Sequence, residues 1–195
     1  MQHDASARNT PSGRLIYLVG PSGSGKDSLI DASRVKLAAA GVEIARRVIT
    51  RSAESKGEAA HGVTPERFEE LRKAGAFAMH WRANGLDYGI PSQVDQWLSE
   101  GRHVLVNGSR AYLPLARQRY PEMLAVCIAV TPEVLRQRLL ARGRETPEEV
   151  EQRLARNALL QAEHEPGVHV LDNSTSLEVA VEALLALLRQ ERLIQ

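Results

Sequence analysis

The sequence predicts an α/β fold: a doubly wound, mostly parallel sheet flanked by helices, with a small insertion and a helical lid. Two observations carry this. Apolar strand-like runs alternate with helix-like stretches from Arg14 onward, and a glycine-rich turn, Gly20-Pro21-Ser22-Gly23-Ser24-Gly25-Lys26-Asp27-Ser28, joins the first run to the first helix. The chain of 195 residues suffices for one such domain over 14–195.

The elements follow in order. Arg14–Val19 is apolar and partly β-branched, as a strand buried on both faces must be, and the helix after the glycine turn carries Leu29, Ile30, Val35 and Leu37 before Gly41. Val42–Ile49 reads as the next strand, followed by a polar loop over Thr50–Val63. Thr64-Pro65-Glu66 places an N-cap, a first-turn proline and a first-turn acid, so a helix starts there and stops at Gly75. Short strands around Phe77–Trp81 and at Tyr88 are joined through Asn84-Gly85, and a helix over Ser92–Glu100 precedes the strand His103–Asn107. Next come a helix near Leu113–Arg119, a core strand over Met123–Val130, and helices opened by Thr131-Pro132-Glu133 and Thr146-Pro147-Glu148-Glu149, the last with a full capping box. Val168–Leu171 is the final strand, and Val179–Leu188 lies in an amphipathic terminal helix. The irregular stretch 50–90 breaks the alternation and is the place for a substrate-binding insertion; 133–163 reads as a lid hairpin.

The glycine turn fits the pattern G-x-x-x-x-G-K-[ST], except that Asp27 replaces the hydroxyl residue. Glycines 20, 23 and 25 allow backbone dihedrals that bring N–H groups onto phosphate oxygens, and Lys26 then reaches the outer phosphates as a point charge. This is a P-loop, and it implies ATP held by residues 20–28. Two readings of Asp27 stand side by side. Its carboxylate can supply the oxygen that Mg²⁺ ordinarily takes from a hydroxyl, with Ser28 as a second candidate ligand, or it can be a helix-start residue suited to the macrodipole.

Composition excludes several classes. Lys and Arg total 25 against 24 Asp and Glu, a formal net charge of +1, which argues against a general nucleic-acid-binding surface, as does an aromatic share of 4%. Cys127 is the one cysteine, inside an apolar run, so no disulfide forms within the chain. No apolar stretch is long enough to span a membrane; residues 1–13 lack the apolar core of a secretion signal and read as a disordered leader. A cytoplasmic protein without nucleic-acid or membrane partners is the expectation.

Phosphoryl transfer needs positioning and charge cancellation. Arg142, Arg144 and Arg153 lie near the tip of the expected hairpin, where Gly143 allows a sharp turn, and are candidates to neutralise a transferring phosphoryl group. Arg136 and Arg138 read as a solvated face with acid partners such as Glu148 and Glu151. His80 and Asp87 are the nearest thing to a general base and read as structural.

These residues resemble the guanylate-kinase-like branch of P-loop kinases: Gly20–Lys26, Ile49-Thr50-Arg51, Gly75-Ala76-Phe77, Gly85-Leu86-Asp87-Tyr88-Gly89, Val104–Val106, Arg142-Gly143-Arg144 and Glu148-Glu149-Val150. The resemblance implies that Arg51 and Tyr88 hold the acceptor's phosphate and that Asp172-Asn173 lies near the adenine of ATP. Its departures matter more. The carboxylates that read guanine fall at Met79, Arg82 and Ser109, while Arg82 and Arg110 add positive charge. With Gly25-Lys26-Asp27-Ser28 and Val106-Asn107-Gly108-Ser109-Arg110, the chain closely resembles the ribose 1,5-bisphosphate phosphokinase family of phosphonate breakdown. That family transfers the γ-phosphate of ATP to the C1 phosphate of a phosphosugar, giving 5-phosphoribosyl 1-diphosphate; Asn107, Ser109 and Arg110 then face the ribose or its second phosphate. Two other readings stay open: a nucleoside monophosphate kinase of guanylate type with altered base contacts, and a non-catalytic guanylate-kinase-like interaction module.

Overall fold

The first strand, β1 (Leu15–Val19), is buried at every residue. Alternate side chains enter different cores: Ile16 and Leu18 pack with α1 (Lys26–Ala39) and α7 (Leu177–Gln190), and Leu15, Tyr17 and Val19 with α3 (Gln93–Ser99) and α4 (Leu113–Arg119). This explains why the run is apolar throughout rather than alternating. β1 sits at the centre of a five-stranded parallel sheet in the order β2-β7-β1-β8-β9, with β2 at Val42–Ile44, β7 at His103–Asn107, β8 at Leu124–Ala129 and β9 at Val168–Asp172. A crossover helix lies between successive parallel strands, and the strand order reverses direction at β1, which places the cleft at its carboxyl end. The computed structural model describes residues 12–50, 60–162 and 166–195, the side chains of 159–162 excepted.

The stretch 42–49 is not one strand. β2 ends at Ile44, and β3 (Val48–Ile49) joins a second sheet, ordered β4-β3-β6-β5, with β4 at His61–Gly62, β5 at Phe77–Ala83 and β6 at Leu86–Pro91. The reason is competition between two partners: Glu43 and Ile44 register with Val104 and Leu105, whereas Val48 and Ile49 pair antiparallel with Gly89 and Tyr88. Ala45-Arg46-Arg47 spans the gap. The second sheet occupies the expected insertion region, with α2 (Pro65–Lys73) capped by Thr64, whose hydroxyl accepts from the Arg67 amide at 3.2 Å. Asn84 (φ 51°) and Gly85 (φ 77°) form the tight turn between β5 and β6. Met79 and Ile90 anchor this sheet in the core beneath α3 and α4.

The expected hairpin forms from α5 (Pro132–Arg142) and α6 (Pro147–Ala162), turned by Gly143 at φ 62°. It owns a small core of Val130, Leu135, Leu139, Val150 and Leu154. Thr146 and Glu149 exchange side-chain to amide bonds at 2.8 and 3.3 Å, the reciprocal cap read in the sequence. At the other end of the described chain, the Gly13 amide donates to the Leu98 carbonyl at 2.8 Å; residues 1–11 of the expected leader lie outside the described residues. No helix among the described residues is long and apolar enough to cross a membrane.

Candidate active site

A cleft of about 540 Å³ opens at the carboxyl ends of β1 and β7, bordered by the glycine loop, the β5–β6 hairpin and the tip of the α5–α6 hairpin. The sequence forms the loop where β1 must hand over to α1. Gly23 and Gly25 take φ values of 95° and 85°, and a Cβ on Gly25 would stand 2.6 Å from the Asn173 amide nitrogen. Gly20, Ser22, Gly23, Gly25, Lys26, Asp27 and Ser28 all line the cleft. Lys26 Nζ donates to the Gly20 and Pro21 carbonyls at 2.7 and 3.3 Å, so it is tethered to the loop it serves.

Other predicted residues of this region brace the loop from behind. Ser24 is fully buried, and its carbonyl accepts from Asn173 Nδ2 at 2.7 Å and from Arg138 Nη1 at 3.3 Å. Arg138 also donates to the Asn173 carbonyl at 2.9 Å, and the Asn173 amide donates to Ala129 at 2.8 Å. Asp172 accepts from Ser174 rather than facing the cleft. Thus Asn173 and Asp172, expected near a nucleotide base, are not among the cleft's lining residues. Arg138, expected on a solvated face, is a strut between α5, the loop and the end of β9. Arg136 does have its acid partner, Glu151, at 2.6 Å.

At the cleft, β7 ends in Asn107, whose Nδ2 donates to Asp27 Oδ1 at 2.6 Å. The following turn is held by Tyr17, fully buried beneath it. Its hydroxyl donates to the Ser109 carbonyl at 3.1 Å and lies 3.0 Å from the Ser109 amide, and burial pushes the phenol up to about 12. Gly108 is required because a Cβ there would lie 2.2 Å from the Tyr17 ring. Arg110 reaches the cleft and donates to Cys127 Sγ at 3.2 Å. Tyr88 stacks on Trp81 with ring centroids 5.8 Å apart and planes 7° from parallel, and Trp81 meets Tyr112 at 5.5 Å.

The structure therefore brings Lys26, Asp27, Ser28, Tyr88, Asn107, Ser109, Arg110, Arg142 and Arg144 to one cleft. It does not bring Arg82, because strand pleating sends Trp81 and Ala83 inward and Arg82 outward, opposite Asp87. Nor does it bring Arg153, which pairs with Glu145 on the hairpin. Asp87 and His80 are off the cleft too; the Asp87 backbone exchanges bonds with Thr50 at 2.8 and 3.1 Å. Arg51 lies outside the described residues.

Among the charged lining residues, Arg47 escaped the sequence reading. Arg47 sits with its side chain 11% exposed, Nη1 3.3 Å from the Asn107 carbonyl and Nη2 3.9 Å from Asp27 Oδ1. Its guanidinium lies 5.1 Å from the Tyr88 ring centroid. The signal was present: two arginines interrupting an apolar strand mark a place where the chain changes partners.

The electrostatics are one-sided. Lys26, Arg47, Arg110, Arg142 and Arg144 line the cleft, and Asp27 is the carboxylate among the described lining residues. Of the positions where guanine-reading carboxylates were sought, Met79 is buried and Ser109 is at the cleft. No cluster of three His, Cys, Asp or Glu side chains suited to a metal ion occurs among the described residues.

Comparison with known proteins agrees with this architecture. The guanylate kinase family model matches residues 12–191. Ribose 1,5-bisphosphate phosphokinase PhnN of Pseudomonas paraeruginosa is 64% identical over 181 residues, covering 93% of this chain and 98% of that protein. The protein of the same name from Azotobacter vinelandii is 64% identical over 178 residues, 91% of this chain and 97% of its own. Among solved structures, guanylate kinase from Anaplasma phagocytophilum superposes with a TM-score of 0.65 at 20% identity, over 93% of this chain and 87% of that one, a likeness of fold.

Proposed function

This chain belongs to the guanylate kinase family, grouping with its ribose 1,5-bisphosphate phosphokinases, and we propose that it transfers the γ-phosphate of ATP to the C1 phosphate of ribose 1,5-bisphosphate. The products are 5-phosphoribosyl 1-diphosphate and ADP. The observation that carries the reading is the cleft's charge: among the described lining residues, cations stand on both walls and no carboxylate stands on the acceptor wall to read a guanine.

In this mechanism an oxygen of the C1 phosphate attacks the γ-phosphorus, and the bond to the β-bridging oxygen breaks with its electron pair leaving on ADP. The acceptor oxygen is already anionic, the second pKa of a phosphate monoester being about 6, so no general base is required. That accounts for a cleft without His80 or Asp87. The loop amides and Lys26 hold the β- and γ-phosphates, and Arg142 and Arg144 neutralise the transferring group as the hairpin closes. Tyr88 and Arg51 grip the C1 phosphate; Asn107, Ser109 and Arg110 meet the ribose and its C5 phosphate.

Asp27 and Ser28 suit Mg²⁺. Both present oxygen to the cleft beside Lys26, the Asp27 side chain is 41% exposed, and Asn107 fixes one carboxylate oxygen at 2.6 Å. A hard cation held by one or two protein oxygens and by substrate phosphates needs no larger cluster. When bound it would screen the charge between the outer phosphates. The cytoplasm, where ATP is maintained, is the compartment that suits this chemistry.

The test is a comparison of acceptors under identical conditions. The purified protein with ATP should convert ribose 1,5-bisphosphate to 5-phosphoribosyl 1-diphosphate and leave GMP nearly untouched. Efficient turnover of GMP alone would make it a nucleotide kinase.

A further inference from the structure

We propose that Trp81 sets the choice of acceptor: its indole closes the cleft to a planar base and leaves a flat wall against which a bare sugar phosphate fits. The inference rests on the function just argued and names the residue that enforces its selectivity.

Trp81 reaches the cleft because of the pleat of β5. Met79, Trp81 and Ala83 share one face of that strand: Met79 is buried in the core, Trp81 is half-buried at the next inward position, and Trp81 and Ala83 line the cleft. His80 and Arg82, on the opposite face, are exposed. Trp81 registers with Tyr88 on β6, and the two rings lie 5.8 Å apart with planes 7° from parallel. It also meets Tyr112 at 5.5 Å, with planes tilted by 35°. Tyr112 precedes α4 directly, and its amide donates to the Ser109 carbonyl at 3.2 Å. The indole therefore joins the β5–β6 hairpin to the turn that follows β7. A side chain packed against two rings from different elements and against the apolar core has few rotamers open to it, so a ligand meets it as a fixed wall.

Position and chemistry then act in the same direction. The resemblance places guanine-reading carboxylates at Met79 and Arg82, two residues before Trp81 and one after it. A base entering that side of the cleft needs room, and a guanine also needs acceptors for its N–H groups. The indole takes up the room, and its one polar group is a donor. Among the described lining residues the carboxylate is Asp27, on the glycine loop. A pentose phosphate is smaller and is not planar. The C–H face of its ring rests on the indole, while its phosphates and hydroxyls meet the polar and cationic side chains around it. Selectivity of this kind comes from a built-in obstacle to the wrong ligand as much as from attraction to the right one.

The experiment compares Trp81→Ala and Trp81→Phe with the wild type, reading kcat/KM for ribose 1,5-bisphosphate and for GMP, the inhibition constant of GMP against ribose 1,5-bisphosphate, and ATP KM, with thermal midpoints as the check on folding. In Trp81→Ala the preference for ribose 1,5-bisphosphate over GMP should fall by about 10–200-fold, the range over which pocket shape discriminates. GMP should inhibit that variant at least about tenfold more tightly than the wild type, while ATP KM stays within about twofold. Trp81→Phe should keep most of the preference. A second measurement does not depend on truncating Trp81. Trp97, the other of the chain's two tryptophans, lies on α3 beside Arg102, so Trp97→Phe leaves Trp81 as the only indole fluorophore. With a non-hydrolysable ATP analogue present, ribose 1,5-bisphosphate should change its emission saturably, and GMP at the same concentration should not. Equal losses for both acceptors in Trp81→Ala, beside a wild type active on ribose 1,5-bisphosphate, make Trp81 a packing residue and overturn the inference alone. Emission that ignores ribose 1,5-bisphosphate while the Trp97→Phe enzyme turns it over also overturns the inference alone. A wild type that phosphorylates GMP and leaves ribose 1,5-bisphosphate untouched overturns the function and the inference with it.

Discussion

Replacing Asn173 by alanine tests whether the glycine loop is shaped from behind. Asn173 is 2% exposed, and its Nδ2 lies 2.7 Å from the carbonyl of Ser24, a residue with no exposed surface. Removing the amide leaves that carbonyl with the longer bond from Arg138, at 3.3 Å, and opens space beside Gly25. A weakened buried acceptor costs about 2 kcal/mol. For a domain of this size each kcal/mol shifts the thermal midpoint by about 2–4 °C, so the variant should melt about 4–8 °C lower. Part of that cost falls on the loop's phosphate-binding shape, so ATP affinity, measured by calorimetry, should weaken as well. Arg138→Met added to Asn173→Ala should cost more than the sum of the two, because each single variant leaves Ser24 one partner and the double leaves it none of these. An Asn173→Ala protein with wild-type melting and wild-type ATP affinity would refute the bracing role and return Asn173 to the nucleotide-base contact the sequence suggested.

Three further outcomes are expected. Lys26→Ala should reduce phosphoryl transfer by more than about a hundredfold in a coupled ADP-release assay, the scale of lost charge stabilisation at the transferring group; unchanged turnover would remove Lys26 from the chemistry. Gly108→Ala drives a methyl group into the Tyr17 ring, so it should destabilise by about 1–3 kcal/mol in urea unfolding and raise acceptor KM by displacing Asn107 and Ser109; a silent substitution would mean that this turn is not held by Tyr17. His103 accepts the Arg14 amide at 3.0 Å through Nδ1, and burial and Arg14 hold its pKa below the ordinary value of about 6.5. Because the folded value is the lower one, its contribution is complete above about pH 6.5 and is lost as pH falls through the lowered value. Urea midpoints between pH 7.5 and 5.5 should therefore fall more for the wild type than for His103→Gln, whereas equal falls would assign the acid sensitivity elsewhere.

Much of the fold was legible because it is written in local chemistry. The caps at Thr64, Thr131 and Thr146, the Asn84-Gly85 turn and the unbroken apolar runs of β1 and β8 each work through neighbours close in sequence. The misread stretch 42–49 failed for the opposite reason. Its two halves pair with strands far along the chain, β7 and β6, and nothing local says which sheet claims which half. Arg82 shows the same limit: its charge suggested an acceptor site, and the parity of β5, set by its pairing with β6, pointed it away.

By itself the sequence located the glycine loop that lines the cleft, because such a loop is a run of consecutive residues whose glycines and lysine act through their own backbone and one side chain. It also showed which residues, Met79, Arg82 and Ser109, stand where the resemblance places guanine-reading carboxylates, which is a matter of residue identity. Only the tertiary structure decided what surrounds Asp27. Asn107 lies 80 positions away along the chain, yet stands 2.6 Å from its carboxylate, and Arg47 arrives from the crossing between two sheets. Burial on that scale is set by how the sheets pack, and an electrostatic environment belongs to the packing rather than to any single stretch of chain.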